Sequence, residues 1–313
     1  MKENTVEYRP LGQTGLDVSS IGLGCVTFGR EIDKATSFDV LDHALERGIN
    51  LLDTAEAYAA GESERVVGEW LADRGVRDQV VLATKVSGTL TRERVIGSAE
   101  ESLQRLGVDV IDLFQLHVFD DSTPVDETLA ALDTLVEQGK VKHIGCSNWG
   151  AWQMAHALVR SASEGGPRME SVQPPYNLVQ REIEADLLPL CRDQQVGVLS
   201  YSPLGAGFLT GKYRVGQDIP SGTRFDVMPG HQPIYFHETG WAALGRLDAA
   251  AAETGRSLVD LALSWVIAQD GVTSVLIGCR KLSHVDQAFE AEATGLSPEL
   301  AAQLSADPEP IED

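Results

Sequence analysis

Apolar residues along the chain fall into two alternating patterns. Short continuous apolar runs, rich in β-branched residues, occur at 19–25 (SSIGLGC), 50–54 (NLLDT), 80–86 (VVLATKV), 110–117 (VIDLFQLH), 141–148 (VKHIGCSN), 171–175 (SVQPP), 196–202 (VGVLSYS) and 272–278 (VTSVLIG). Runs of this kind suit strands buried on both faces, as in a parallel sheet. Between them, apolar positions recur every three or four residues. Val95, Ala99, Leu103 and Leu106 predict a helix over 91–106. Leu129, Leu132 and Val136 predict another over 125–138, closed by Gly139. Similar faces occur at 34–47, 62–71, 151–160, 185–194 and 257–268. Eight strand–helix units in one chain predict an α/β fold, a closed (β/α)8 TIM barrel forming a single domain over 1–313; a doubly wound open sheet is the alternative.

Three stretches depart from this alternation. Residues 6–18 (VEYRPLGQTGLDV) read as an N-terminal hairpin turning between Gly12 and Gly15, placed to cap the barrel bottom. Residues 203–240, which follow strand seven, read as a long loop rich in Gly and Pro, and loops of that length in compact domains are usually functional. The acidic tail over 297–313 is expected to be frayed.

Charge narrows the set of partners. Acidic residues outnumber basic ones 47 to 25, a formal charge of −22. That disfavours a nucleic-acid groove and an anionic membrane surface. Solubility and a salt-adapted host both account for the acidity. An anionic ligand would need locally concentrated positive charge, because the overall field repels it. No apolar run reaches the ~18 residues of a membrane span, and the first residues lack an apolar leader, so a cytoplasmic location is expected. Cys25, Cys146, Cys191 and Cys279 form no C-x-x-C pair and no zinc spacing, which reads as buried free thiols without a metal. GLGCVTFG (22–29) lacks the third glycine of a dinucleotide fingerprint.

In a barrel of this kind, chemistry sits where strands run out into helices. Strand two delivers Asp53, with Tyr58 in the next loop; strand three delivers Lys85; strand four delivers His117. Strand five delivers Ser147 and Asn148, strand six Gln173, strand seven Tyr201 and Ser202, and strand eight Gly278 followed by Arg280. A lysine inside the apolar run VVLATKV requires a partner, and Asp53 on the neighbouring strand is the natural one. A tyrosine near pKa 10 is a poor acid at neutral pH. A nearby ammonium favours the phenolate and is expected to lower that value. With a histidine to orient a carbonyl, the set amounts to a general acid for a developing alkoxide. Hydride, which no side chain supplies, would come from a nicotinamide.

These motifs, LLDTAEAY, ATKV, QLHVFD, GCSNW, VQPPYN, YSPLGAGFLTGKY and SVLIGCRK, resemble the aldo-keto reductase family, and within it the bacterial NADP(H)-dependent members. The match runs in family order from about residue 8 to about 293. The resemblance implies a barrel that binds NADPH/NADP+ across its top, with no Rossmann domain and no metal. It implies Tyr58 as proton donor, supported by Asp53, Lys85 and His117. It places Ser147, Asn148 and Gln173 at the nicotinamide carboxamide and stacks Tyr201 on the ring. Gly24, Cys25 and Val26 would line the groove at the first strand's end. Ser202, Pro203, Leu204, Gly205 and Ala206 would line the pyrophosphate, with Lys212 adding charge and Arg224 reaching the adenosine end. The long loop would then clamp the cofactor. Beyond Gly278 the family pattern departs: His284 and Gln287 stand where adenosine contacts are expected, and Ala288 cannot make one. Arg280 could hold a 2′-phosphate bidentately, and Arg280, Lys212, Arg224 and His284 would supply the local positive patch. NADPH is therefore expected, with NADH as the alternative.

Candidate substrate contacts are Phe28, Phe119, Trp149 and residues of 225–236, suited to an aldehyde, a ketone or a ketosugar. Two rival readings remain. One is a nicotinamide-binding regulatory subunit resembling channel β-subunits, with little turnover; the intact His117 weighs against it. The other is a (β/α)8 hydrolase or isomerase, which would leave Lys85, Tyr58 and the SNW and QPPYN motifs unexplained.

Overall fold

The computed structural model describes residues 6–306. Among these residues ten strands run in chain order: β1 (Tyr8–Pro10), β2 (Asp17–Ser19), β3 (Ile21–Gly24), β4 (Leu51–Asp53), β5 (Val81–Val86), β6 (Ile111–Leu116), β7 (Val141–Ser147), β8 (Met169–Gln173), β9 (Gly197–Ser200) and β10 (Ser274–Gly278). β1 and β2 pair antiparallel as the hairpin. β3 to β10 close into an eight-stranded parallel barrel, sealed where Gly278 of β10 pairs with Gly24 of β3. The open-sheet alternative is excluded by that closure.

The helices are α1 (Lys34–Glu46), α2 (Glu62–Arg74), α3 (Arg92–Leu106), α4 (Val125–Glu137), α5 (Ala151–Glu164), α6 (Leu187–Gln194), α7 (Arg224–Val227), α8 (Glu238–Thr254), α9 (Leu258–Ile267), α10 (Ser283–Thr294) and α11 (Pro298–Ser305). Local sequence sets several starts. Asp33, Thr91, Ser257 and Ser297 each accept a backbone N–H of the first turn with the side chain, a cap worth about 1 kcal/mol. The main core lies between the barrel wall and this helical ring. A second, smaller core fills the barrel's N-terminal end, where Leu11 and Val18 of the hairpin meet Leu51, Val81, Leu113 and Leu276. Leu11 comes so close to the wall that a Cβ on Gly197 would sit 2.8 Å from its Cδ1. The bottom is thus plugged, and all eight barrel strands deliver their last residues to the opposite rim.

The long loop expected after strand seven spans the stretch from β9 to α8, but it is not unstructured. It holds two 3₁₀ segments, α7 and the start of α8. It is built on its own aromatic cluster, with Phe208 packed on Trp241 at 4.9 Å and Phe225 on Phe236 at 5.0 Å between ring centroids. Nor does the chain fray at 297. Ser297 caps α11, and Ser305 at its end is tied to the barrel: Arg181 donates to its carbonyl at 2.6 Å and Trp265 to its hydroxyl at 2.8 Å. Residues 307–313 lie outside the described residues. All four cysteines are buried thiols. Among the described residues, no helix is long and apolar enough to cross a membrane.

Candidate active site

Lys85 is the centre of the rim. It enters on β5 and is wholly buried. Its Nζ donates to Asp53 Oδ2 at 2.6 Å, to the Thr54 carbonyl at 2.9 Å and to the Tyr58 hydroxyl at 3.1 Å. An ammonium has three N–H donors, so all are committed. Asp53 is equally committed: its Oδ1 accepts from Gln115 Nε2 at 3.1 Å and from Gln173 Nε2 at 2.8 Å. Burial opposes the charge on Lys85, but Asp53 and Tyr58 outweigh it and hold the pKa above its ordinary value.

Tyr58 stands beside this pair on a left-handed turn, with Ala59 at φ 50°, Ala60 at φ 53° and Gly61 at φ 85°. Its pKa corrects the sequence expectation. The Lys85 ammonium does favour the phenolate, but burial outweighs it, and the phenol ends above 10.0. Tyr58 is therefore a neutral phenol at neutral pH. Because its oxygen accepts from Lys85, its own proton is free to be given elsewhere. The His117 ring lies edge-on to Tyr58 with centroids 5.8 Å apart. Burial first, then Lys85, lowers the His117 pKa to about 4, so the ring is neutral.

The other polar groups gather on the same rim. Asn148, at φ 58°, donates from Nδ2 to the His117 carbonyl at 3.0 Å, and its Oδ1 accepts from the Tyr201 hydroxyl at 2.8 Å. Ser147 donates to the Gln173 carbonyl at 2.8 Å. Gln173 belongs to the Asp53 network through its Nε2, which leaves its Oε1 for a ligand. Gly24 pairs with both Asp53 and Gly278. Cys25 is buried, its thiol pushed well up by burial and by Asp53, and Val26 is partly exposed. Ser202 and Ala206 adopt φ 55° and 54°, with Pro203 and Gly205 buried and Leu204 partly so.

Cations cluster at the far end. Burial and Arg280 together lower the Lys212 pKa. Burial, Arg30 and Arg280 lower that of Arg224, whose guanidinium lies 3.8 Å from Glu31. Mutually repelling cations in so acidic a chain suit an anion, and an added Cβ on the exposed Gly278 would meet only open space. Phosphate groups would suit this cluster of cations. His284 does not add charge as expected: burial, Lys281 and Arg280 hold it below 6.5, and its Nδ1 accepts the Arg280 N–H at 3.4 Å. Gln287 is exposed on α10, while Ala288 is in the core. Phe28 is also wholly in the core, which removes it as a substrate contact. Trp149 is buried against Phe119, their centroids 4.9 Å apart, and Phe119 also meets the exposed Trp152 at 5.6 Å.

The model of the Aldo/keto reductase family matches residues 20–306. The chain belongs to the aldo/keto reductase family. Aldo-keto reductase YhdN of Bacillus subtilis (strain 168) is 34% identical over 308 residues, covering 94% of this chain and 91% of the relative. Uncharacterized oxidoreductase YrpG of the same organism is 33% identical, covering 96% and 95%. A probable voltage-gated potassium channel subunit beta of Arabidopsis thaliana is 32% identical, covering 91% of each chain. Membership of the aldo/keto reductases supports oxidoreductase activity on carbonyl groups with a nicotinamide cofactor. Gln115, which donates to Asp53 at 3.1 Å, Ser87, whose hydroxyl lies 2.9 Å from His117 Nδ1, and Glu56, which accepts the Ser87 N–H at 2.6 Å, join the same network and are residues that the sequence reading missed. Gln115, a polar residue inside the apolar run VIDLFQLH, was the readable signal among them.

Proposed function

We propose that this aldo/keto reductase is an NADPH-dependent enzyme that reduces an aldehyde, ketone or ketosugar carbonyl, with Tyr58 as proton donor. One observation carries the reading: Tyr58 accepts from a fully committed Lys85, which leaves its O–H proton to be donated. A bound nicotinamide nucleotide supplies the hydride. Tyr58 gives its proton to the carbonyl oxygen as negative charge develops there. Lys85, pinned by Asp53, stabilises the phenolate that remains. Neutral His117 orients the substrate oxygen. Ser147, Asn148 and Tyr201 would hold the nicotinamide, with Gln173 contributing only its Oε1. Lys212, Arg224 and Arg280 would hold the phosphates, Arg280 the 2′-phosphate.

A second reading is favoured by one observation, the 32% identity to the Arabidopsis thaliana protein and to its Oryza sativa counterpart of the same name. It is a nicotinamide-binding regulatory subunit with little turnover. Titration with NADPH and NADH, followed by quenching of the five tryptophans, with a screen of aldehydes and ketosugars, separates the cases. Tight NADPH binding with turnover supports the reductase, binding without turnover supports the regulatory subunit, and no binding of either nucleotide rejects both.

A further inference from the structure

Two residues beyond Lys85 the chain leaves β5 at Ser87, and on the neighbouring strand it leaves β6 at His117. The strands are in register at Val86 and Leu116, and the His117 N–H donates to the Val86 carbonyl at 2.9 Å. Ser87 and His117 are therefore the first rung beyond the sheet. There the Ser87 hydroxyl and His117 Nδ1 lie 2.9 Å apart. Ser87 is itself held in place. Its N–H donates to Glu56 Oε1 at 2.6 Å. Glu56, two residues before Tyr58, is anchored in turn by Arg94 and by the Ser98 hydroxyl, which donates to Oε2 at 2.6 Å. One serine thus ties the loop that carries Tyr58 to the strand end that carries His117.

The direction of the proton on this contact decides what His117 can do. A neutral imidazole has one N–H donor and one bare acceptor, and the bond made at one nitrogen fixes the state of the other. Among the described residues the Ser87 hydroxyl has no partner but Nδ1. If Nδ1 carried the proton, Nε2 would turn a bare lone pair on a carbonyl oxygen brought to Tyr58, and the two lone pairs would repel. If the hydroxyl donates to Nδ1, Nε2 keeps its proton and can donate to that oxygen.

We propose that Ser87 is a positioning residue: its hydroxyl donates to His117 Nδ1, holds the ring in the Nε2–H tautomer, and makes His117 a second hydrogen-bond donor to the substrate oxygen beside Tyr58. This rests on the reductase roles proposed above for Tyr58 and His117. It brings a residue outside the Asp53–Tyr58–Lys85–His117 set into the control of carbonyl orientation.

The direct test is long-range proton–nitrogen NMR of the full chain labelled with 15N-histidine at neutral pH, with His117→Asn identifying the His117 signals. Nδ1 is expected unprotonated and Nε2 protonated in the wild type. Ser87→Ala is expected to mix the tautomers, and Ser87→Thr to restore one. A protonated Nδ1 in the wild type, or an unchanged spectrum in Ser87→Ala, overturns the proposal. In turnover of the best aldehyde of the screen, Ser87→Ala lowers kcat about tenfold, the scale of one net hydrogen bond. NADPH binding stays unchanged and Ser87→Thr recovers the rate; an unaltered kcat in Ser87→Ala overturns the positioning role. The spectra need no substrate, so a wild type that reduces nothing overturns the reductase reading even where the tautomer is as stated.

Discussion

Lys85 Nζ lies 2.6 Å from Asp53 Oδ2, with the two side chains 0% and 2% exposed. Removing one member of such a pair leaves an uncompensated buried charge and costs about 3–5 kcal/mol. Lys85→Met should lose stability on that scale in urea unfolding at unchanged m. The double variant Lys85→Met/Asp53→Asn should regain much of it, because the neutral amide needs no counter-ion. Its activity should stay lost, since Tyr58 would lack the ammonium.

The turn after Tyr58 is strained. Ala59 and Ala60 both sit in the left-handed region at φ 50° and 53°, which costs an L-residue roughly 1–2 kcal/mol. Ala59→Gly should therefore stabilise the fold by about 0.5–1 kcal/mol, once glycine's greater freedom in the unfolded chain is counted. Ala59→Val should destabilise it. Urea midpoints of the two variants should move in opposite directions.

Acid should weaken the fold through His117. Its folded pKa, near 4, lies below its ordinary 6.5. Between those values the unfolded chain binds a proton that the folded one refuses, so stability falls as pH drops through the window. A His117→Asn variant should show a shallower fall between pH 6.5 and 4 in denaturant titrations.

Arg280 should carry the choice of nucleotide. Losing a charge-assisted contact to phosphate costs about 1.5–3 kcal/mol. Arg280→Ala should weaken NADPH roughly tenfold or more and leave NADH nearly unchanged in fluorescence titrations. Added salt should weaken NADPH more than NADH in the wild type.

The barrel was legible because strands buried on both faces read as continuous apolar runs, and all eight runs correspond to β3 to β10. The helices α8 and α10 leave little trace in the apolar pattern. Buried positions such as Gly240, Ala243, Ala250, Ala288 and Ala291 are small, so the apolar period has little contrast. The caps of α11 were present in SPE at 297–299, but the acidic end beyond them masked the signal. Asp53, Tyr58, Lys85 and His117 could be picked out because each is a polar residue at or just beyond an apolar run. The rise in the Tyr58 pKa could not, because it depends on how far packing excludes water. Ser87 escaped because a serine after a strand is ordinary; only the register of β5 with β6 sets it against His117.

The most direct measurement is single-turnover reduction of an aldehyde by Tyr58→Phe with NADPH bound at saturation. A proton-donating Tyr58 implies unchanged NADPH affinity and hydride transfer slowed roughly a hundred- to ten-thousand-fold. Wild-type rates in Tyr58→Phe would contradict the central claim.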